Sequence, residues 1–391
     1  MQISRRRCTG SGARPRGIAK SYSSPQGVRS MRYGMFMQPS HPPQREVADG
    51  IEQDLRIIEW CDQAGFSEVW VGEHLTAPWE PYPACDLILA QAIPRTEQIT
   101  LCAGAYVVPF YHPAALALRI AQLDHMARGR FICGIAAGSI ATDFALLGVD
   151  AMAGQQRDMM RDAIEIMLRL WDDPQHEWTY EGKHWTVANP APFLSFHSHM
   201  QPYQRPHPPI AVAGLSPRSD SIRYAGEQGF IPLSLTFNAS YLRDHWNVME
   251  EGAASAGRGC DRQDWRVIRD VFVADTDAEA KAWVRSSHWA GMWLEQNLPL
   301  LKAFDWLQFV KHDTAVADED VDIDYLIDNL WMVGSPATVT EKILETHEVL
   351  GGFGTLVVNK YDYGETPDAY RRSLELLAHD VMPRVDQRLS S

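Results

Sequence analysis

The chain has 391 residues, 45% of them hydrophobic, and a formal net charge of −14 at pH 7. This length and composition are typical of a globular protein with one large core or two smaller ones, and the excess of acidic groups argues against nucleic acid as a partner. Since no apolar run reaches the roughly 18 residues of a membrane-spanning helix, no membrane segment is expected.

The first 30 residues differ in composition from the rest of the chain. They are rich in Arg, Ser, Gly and Pro and contain few side chains that a core would bury, so residues 1–30 are predicted to form a disordered N-terminal tail. The six cysteines are scattered along the chain, without a CxxC pair or metal-finger spacing. Several lie inside apolar runs, which indicates reduced core thiols and a cytoplasmic location.

From Met31 onward, short runs rich in Val, Ile, Phe and Ala alternate with longer amphipathic stretches. The runs have the length and composition of buried strands, and a helical pattern follows each of them, which makes eight strand–helix units. The predicted strands are RYGMFMQ, EVWVG, ITLCAGAYVV, RFICGIAAG, PIAVAGL, FIPLSL, WRVIRDVFVAD and FGTLVVNK.

Strands that are buried on both faces and separated by helices predict parallel pairing with right-handed crossovers. Eight units fit a closed α/β fold, the (β/α)8 TIM barrel, better than an open sheet, and no GxGxxG motif follows the first strand. Residues 31–391 are therefore predicted to form a single barrel domain. Two insertions, 172–208 after strand 4 and about 298–328 between strands 7 and 8, are too long for simple connections and are expected to shape a substrate pocket.

Active sites of such barrels lie at the carboxyl ends of the strands, and the predicted ends are mostly small, apolar and neutral. They hold no carboxylate pair, no HExxH motif and no Cys or His cluster with ligand spacing, so a hydrolase or a metal enzyme is disfavoured. The second strand is different, because it delivers Glu73 and His74 side by side. A rim with so few ionisable groups predicts that an organic cofactor supplies the reactivity.

The end of the fifth strand predicts a phosphate site. In VAGLSPRSDSIRYAGEQG, Ser216 fits the cap of the following helix and Pro217 fits its first turn. The free N–H groups of the helix start, the hydroxyls of Ser219 and Ser221 and the charge of Arg218 would then face an anion. A plain capped helix without a ligand is the alternative interpretation.

Small residues at two further strand ends leave room for a flat ring. Gly104 and Ala105 follow the third strand, and Ala136, Ala137 and Gly138 end the fourth. Small side chains also relieve crowding near a barrel axis, so neither stretch is decisive alone. Together with the phosphate site, they predict a slot for a large planar ligand.

Several stretches carry a family resemblance. The segments EVWVGEH, AYVVPFYHP and LDHMARGRFICGIAAGSIATDFALLGVD resemble the bacterial luciferase-like flavin-dependent monooxygenases. The stretches MVGSPATVTEKI, GGFGTLVVNKYD and RRSLELLAHDVMP are most similar to the limonene monooxygenase-like branch of that family. The likeness covers residues 31–383.

This resemblance implies a two-component enzyme on a (β/α)8 barrel. The barrel would bind reduced FMN (FMNH2) supplied by a separate NAD(P)H:flavin reductase, and O2 would react with it to give a C4a-peroxyflavin. The peroxyflavin would oxygenate a small hydrophobic substrate such as a terpene, ketone or aldehyde, by epoxidation, hydroxylation or Baeyer–Villiger reaction. Members of the family usually associate as dimers or larger homo-oligomers. An F420-dependent oxidoreductase and a non-catalytic flavin-binding protein stay open as alternatives.

The resemblance also assigns site residues. His74 would lie beside the isoalloxazine ring, whereas a second His of the family is Leu75 here. A non-proline cis peptide would fall between Gly104 and Ala105, and the phosphate would bind at the start of the helix after the fifth strand. Where bacterial luciferase has a phosphate-binding Arg, this chain has Ala137, which places more of the phosphate contact on that helix start. The residues predicted to bind the cofactor are Gly104, Ala105, Ala137, Gly138, Ala213, Gly214, Leu215, Ser216 and Ser221.

His74 is the predicted catalytic residue, because an imidazole titrates near neutral pH and can carry a proton to or from a flavin adduct. Glu73, the second predicted member of the catalytic pair, would be a buried partner that orients His74. An apolar pocket would protect the reactive flavin from water. Aromatic residues predicted to form its walls are Phe36, Trp79, Tyr106 and Trp331.

Overall fold

A computed structural model describes residues 30–391, so the predicted tail lies outside the described residues except for Ser30. Within this part of the chain, strands and helices alternate almost throughout. The strands are β1 (Arg32–Met37), β2 (Glu68–Val71), β3 (Thr100–Ala103), β4 (Tyr106–Val107), β5 (Phe131–Ala136), β6 (Trp178–Glu181), β7 (Thr186–Asn189), β8 (Ile210–Gly214), β9 (Ile231–Ser234), β10 (Arg266–Arg269), β11 (Val271–Val273), β12 (Met332–Gly334) and β13 (Thr355–Asn359).

Eight of these strands pair in parallel and close into the predicted (β/α)8 barrel, which is therefore confirmed. These eight strands are called staves below. Their order around the barrel is β1, β2, β3, β5, β8, β9, β10 and β13, and β13 pairs with β1. The short strand β4 continues the third stave and pairs with the end of β5. Since each stave pairs with two neighbours, the barrel has no free edge.

The helices lie between the staves, and their boundaries follow ordinary capping chemistry. α12 is an example: the Ser335 side chain accepts from Thr338 N, Pro336 occupies the first turn, and Gly351 ends the helix in a left-handed conformation. The helices are α1 (Val47–Gln63), α2 (Cys85–Ala92), α3 (Pro113–Ala127), α4 (Ala141–Leu146), α5 (Gln155–Asp172), α6 (Asp220–Gln228), α7 (Ala239–Ser255), α8 (Asp277–Ser286), α9 (His288–Met292), α10 (Leu298–Ala303), α11 (Ile323–Asn329), α12 (Pro336–Leu350), α13 (Pro367–Leu376) and α14 (Met382–Leu389).

Both predicted insertions have structure of their own. The first carries the antiparallel hairpin of β6 and β7. The second is longer than predicted, because residues 287–331 between α8 and β12 contain α9, a π-helical turn over Trp293–Asn297, α10 and α11. Beside it, β11 leaves the barrel after β10 and pairs with β12. Among residues 30–391, no helix is long and apolar enough to cross a membrane.

The barrel interior is filled, so it offers no channel for a ligand. Alternate residues of the staves point inward and form one apolar cluster, as the period of a strand requires. Below this cluster, the buried Arg266 guanidinium pairs with the buried Glu68 carboxylate, Nη2 to Oε2 at 3.2 Å, and Trp70 Nε1 donates to Glu68 Oε1 at 2.9 Å. The cluster consists of Phe36, Trp70, Cys102, Ile132, Ala211, Leu233, Ile268 and Val357.

Candidate active site at the carboxyl ends of the barrel strands

Partly exposed residues gather where the staves end. The interior beneath them is closed, and a ligand therefore has to bind on this rim, as in other barrels of this type. The partly exposed residues at or just beyond the stave ends are Gln38, His74, Ala136, Ala137, Gly138, Ala213, Leu215, Leu235, Thr236 and Asn359.

His74 follows β2 and is held between two carboxylates. Its Nδ1 lies 3.1 Å from Asp143 Oδ2, and its Nε2 lies 3.2 Å from Glu80 Oε2. Asp143 belongs to α4, after the fourth stave, whereas Glu80 lies in the loop after the second. The contact with Glu80 is an ion pair without directed hydrogen-bond geometry, because Glu80 Oε2 has no hydrogen-bond donor among the described residues. The proton on Nε2 is therefore the one that the protein leaves available.

The charges around His74 favour its protonated form. Burial alone would lower the pKa of His74, but Glu80 and Asp143 outweigh this effect, and the pKa is raised. Burial raises the pKa of Glu80, although His74 opposes the shift. Burial acts in the same direction on Asp143, yet hydrogen bonds from His74 and Thr76 lower the pKa of that carboxyl below its ordinary value. Asp143 is thus the lasting anion, and Glu80 is the carboxylate that more readily takes up a proton.

Asp143 also fixes the loop that carries His74. Its Oδ1 accepts from Thr76 N at 2.7 Å, from Leu75 N at 3.2 Å and from the Thr76 hydroxyl at 2.5 Å. A single carboxylate therefore ties the ends of the second and fourth staves together and sets the direction of the imidazole.

Glu73 has different partners from those predicted. Its carboxylate is buried and accepts from Val107 N at 2.9 Å, Cys85 N at 3.1 Å and the Tyr111 hydroxyl at 2.8 Å. No hydrogen bond joins Glu73 to His74 in the described part of the chain, so the expected direct orienting contact is not made. Burial raises the pKa of Glu73. The orienting carboxylates are Asp143 and Glu80, and Glu73 connects three elements behind the rim.

The small residues predicted to make room for a flat ring lie at neighbouring stave ends. The peptide between Gly104 and Ala105 is cis, at the position that the family resemblance implies. Gly138 has a φ of +82°, and a Cβ there would lie 2.6 Å from Phe144 Cζ, so glycine is required at this turn. Ala137 and Gly138 are partly exposed and lie at the end of the fourth stave, which the contact between His74 and Asp143 ties to the second. The backbone of Gly104, Ala105, Ala137 and Gly138 is called the small-residue shelf below.

The loop after the fifth stave differs from the prediction in where its helix begins. Ser219, not Ser216, caps α6, and its Oγ accepts from Ile222 N. Residues 215–219 form a turn in which Arg218 has a φ of +44°, and Pro217 therefore precedes the helix. Just before this turn, Gly214 packs so closely on Ile222 that a Cβ would lie 2.3 Å from Ile222 Cγ1.

This turn still offers an anion site. The N–H groups of Ser216 and Arg218 have no acceptor within residues 30–391, and Ser221 lies in the first turn of α6. The guanidinium of Arg218 is engaged by Glu251, Nη2 to Oε1 at 2.9 Å, on the exposed surface. Backbone N–H groups at the start of α6 are therefore the donors that this turn offers to an anion, whereas the guanidinium of Arg218 is already paired with Glu251.

The predicted aromatic walls lie beside this rim, but most are covered. Phe36 belongs to the barrel interior, and Tyr106 is fully buried in edge contact with Tyr111. Trp79 lies near Gly291, at the second insertion. Trp331 is fully buried between Trp289 and Trp293, with ring centroids 4.5 Å and 5.2 Å away. That these side chains line a substrate pocket remains a prediction.

The sequence did not identify Asp270 as a rim residue. It placed the end of the seventh strand at Asp275, yet β10 ends at Arg269, and β11 turns out of the barrel. Asp270 is buried and accepts from the Tyr361 hydroxyl at 2.5 Å and from Asn359 Nδ2 at 3.0 Å. Glu80 was missed as well. Neither residue has a local signal, because a single acid in a loop has no recognisable spacing.

These features fit the flavin mononucleotide that the resemblance implies. The small residues at the third and fourth stave ends leave room for a flat ring, the 215–219 turn offers N–H groups to a phosphate, and His74 lies on the same rim. A metal ion finds no comparable arrangement, because residues 30–391 contain no group of three or more His, Cys, Asp or Glu side chains suited to hold one.

Comparisons with known proteins agree with this geometry. The sequence profile of a family described as luciferase-like monooxygenase matches residues 31–351. The chain is 32% identical to 2,5-diketocamphane 1,2-monooxygenase 2 of Pseudomonas putida, covering 91% of this chain and 99% of that protein. It is 30% identical to limonene 1,2-monooxygenase of Rhodococcus erythropolis, covering 90% and 86%.

A solved structure extends the comparison to three dimensions. It is the oxygenating constituent of 3,6-diketocamphane monooxygenase from Pseudomonas putida, a type II Baeyer–Villiger monooxygenase in complex with FMN. The TM-score is 0.86 at 32% identity, and the match covers 91% of this chain and 99% of that one.

Proposed function

Because this chain belongs to the luciferase-like monooxygenase family, we propose that it oxygenates a small cyclic ketone with reduced FMN that a separate flavin reductase supplies. It is a flavin-dependent monooxygenase with FMN as cofactor and O2 as co-substrate. FMN therefore takes the place of the deazaflavin that the sequence alone had left open. The bound flavin supplies the electrons that activate O2.

The observation that carries the proposal is the position of His74 between Asp143 and Glu80 beside the small-residue shelf. Its Nε2 is the ring atom without a directed protein acceptor. We assign to His74 the role of holding a proton at Nε2 next to the isoalloxazine ring. Glu80 Oε2, 3.2 Å away, can take that proton and return it, whereas Asp143 keeps the ring in place.

The surroundings supply binding and exclude water. Backbone N–H groups of the 215–219 turn and Ser221 hold the phosphate in this proposal, and the backbone of Gly104, Ala105, Ala137 and Gly138 supports the ring. In this proposal the second insertion covers the rim, with Trp289, Trp293 and Trp331 packed against one another in its core. An apolar cover of this kind keeps water from competing with the substrate for activated oxygen.

The substrate class follows from the relatives and the cover. Diketocamphanes are the substrates named for relatives that match almost along their full length, and an apolar bicyclic skeleton suits the apolar cover proposed here. The name of the structural relative, an oxygenating constituent, supports the separate reductase. We further propose a homo-oligomeric state, from the family resemblance alone.

The test is oxygen insertion by the purified full-length chain. Reduced FMN is supplied by an added NADH-dependent flavin reductase under 18O2, with a bicyclic terpene ketone or with limonene as substrate. The proposal expects that the ketone is converted to a lactone that carries one 18O atom from O2, and that limonene gives little product. An epoxide from limonene with no reaction of the ketone would replace the Baeyer–Villiger assignment.

A matched pair of variants tests the role of His74. His74→Gln is expected to bind reduced FMN but to lose most product formation, about 10²-fold or more, as general acid–base groups typically do. His347→Gln, in the last turn of α12 and so toward the amino ends of the barrel strands, is the control and is expected to keep full activity. Full activity in His74→Gln would exclude the proposed proton role.

A further inference from the structure

The 215–219 turn is held from behind by two side chains of one helix. On α7, Tyr241 donates from its hydroxyl to Leu215 O at 2.9 Å, and His245 Nε2 lies 2.8 Å from Ser216 O. The two residues are four positions apart and therefore share one face of the helix, with ring centroids 6.0 Å apart. One helix face thus contacts two successive carbonyls of the turn.

The two contacts determine the conformation of Ser216. In a trans peptide, the C=O and N–H groups point in opposite directions, and the Leu215–Ser216 bond is trans. Since Tyr241 binds the Leu215 carbonyl, the N–H of Ser216 points away from α7, toward the exposed side of the turn. His245 fixes the next peptide plane, and the ring of Pro217 fixes the following φ.

A buried chain of donors fixes the direction of the bond from His245. Trp265 Nε1 donates to Ser234 Oγ at 2.9 Å, and Ser234 Oγ lies 2.9 Å from His245 Nδ1. A backbone carbonyl can only accept, so the proton of the neutral ring is on Nε2, and Ser234 gives its hydroxyl proton to Nδ1. Burial lowers the pKa of His245 to about 4, which keeps the ring neutral at neutral pH.

The first turn of α7 is itself held in place by hydrogen bonds to the second insertion. The Asn238 side chain caps α7 by accepting from Tyr241 N at 2.8 Å, and its Nδ2 donates to Lys311 O at 2.7 Å. Asn238 N also donates to Phe309 O at 3.0 Å. Because these hydrogen bonds tie the start of α7 to the second insertion, the first turn of α7 cannot shift without breaking several of them.

We propose that Tyr241 and His245 are positioning residues for the FMN phosphate, because they fix both peptide planes that flank Ser216 and so direct its N–H group and hydroxyl to the anion. Neither side chain touches the cofactor. This inference rests on the proposed function, which places the phosphate at the 215–219 turn.

The test compares two ligands that differ only in the phosphate, reduced FMN and reduced riboflavin, in anaerobic binding titrations of the full chain. Each of Tyr241→Phe and His245→Phe is expected to weaken FMN binding about three- to tenfold, the usual effect of one hydrogen bond. Binding of riboflavin should change less than twofold. His245→Gln, which retains an N–H donor, should restore most of the FMN affinity.

A control variant distinguishes positioning from general loss of structure. Trp171→Phe removes a buried N–H donor to another backbone carbonyl, that of Ala117 at 3.0 Å, and should leave both affinities unchanged. If His245→Phe does not fold, the nearly isosteric Tyr241→Phe carries the test. Equal losses for FMN and riboflavin, or no loss, would overturn the inference.

The relative affinities of the wild-type protein for FMN and riboflavin distinguish a failure of this inference from a failure of the proposed function. If it binds FMN no more tightly than riboflavin, the phosphate assignment itself fails, and the inference fails with it. If it prefers FMN and both Tyr241→Phe and His245→Phe keep that preference, only the positioning role is wrong.

Discussion

His74 Nδ1 lies 3.1 Å from Asp143 Oδ2, although 69 positions separate the two residues in the chain. The contact joins the ends of the second and fourth staves and gives the imidazole a permanent anionic partner. The opposite ring nitrogen faces Glu80. His74 is thus a proton-carrying group of the rim whose charge is set by two acids, Asp143 of α4 and Glu80 of the loop after the second stave.

Asp143→Asn is expected to lower the pKa of His74. Burial, which favours the neutral ring, remains in the variant, whereas one of the two carboxylates that oppose it is removed. NMR titration of histidine-labelled protein measures the pKa directly. If protonated His74 is the active form, activity is lost as pH rises through that pKa, and the loss should begin at a lower pH in the variant. Asp172→Asn, which removes an exposed carboxylate at the end of α5, is the matched control and should leave the titration unchanged.

Glu73→Gln should act on stability rather than on the proton at His74. An amide keeps the shape of the carboxylate but turns an NH2 group toward at least one of its three donors, Val107 N, Cys85 N and the Tyr111 hydroxyl. The expected loss is about 1–3 kcal/mol in the free energy of unfolding, measured by urea denaturation. The pKa of His74 should shift less than in Asp143→Asn. A larger shift would return Glu73 to the role of direct partner.

The buried pair of Glu68 and Arg266 should be sensitive to single changes and tolerant of a double one. Glu68→Gln leaves a guanidinium without its counter-charge inside the barrel, which costs about 3–5 kcal/mol of stability. Replacing both residues together, as Glu68→Gln with Arg266→Met, should recover much of that loss. Denaturation of the two single variants and the double variant gives the coupling energy. Additive losses would show that the pair contributes nothing specific.

His245 should make stability depend on pH in a defined window. Its pKa is lowered by burial from 6.5 to about 4, so the unfolded chain binds more protons between these values. The free energy of unfolding therefore falls as pH drops from about 6.5 to about 4, by up to about 3 kcal/mol, and the contribution is complete above 6.5. In His245→Gln this part of the pH dependence should vanish. Parallel curves for wild type and variant, from urea denaturation at several pH values, would contradict the expectation.

The sequence predicted the barrel because each stave is a short apolar run with a helix after it, and that pattern is local. It also predicted the position of His74 and of the small residues at the third and fourth stave ends. The sequence-based prediction was wrong or incomplete where contacts between residues distant in the chain determine the structure. The cap of α6 is Ser219 and not Ser216, since two serines precede the same helix and the local sequence does not distinguish them. The acids beside His74 come from a loop and from α4, and no sequence spacing encodes their approach.

The hydrogen bond from Gln296 Nε2 to Glu80 Oε1, 3.2 Å long, has a consequence for engineering. Gln296 belongs to the π-helical turn of the second insertion, the segment that an experimenter would exchange to change substrate preference. That exchange would also remove a donor that lowers the pKa of Glu80 and so retune the acid beside His74. Grafted insertions should therefore shift the pH optimum together with the substrate range, unless a donor is kept at position 296.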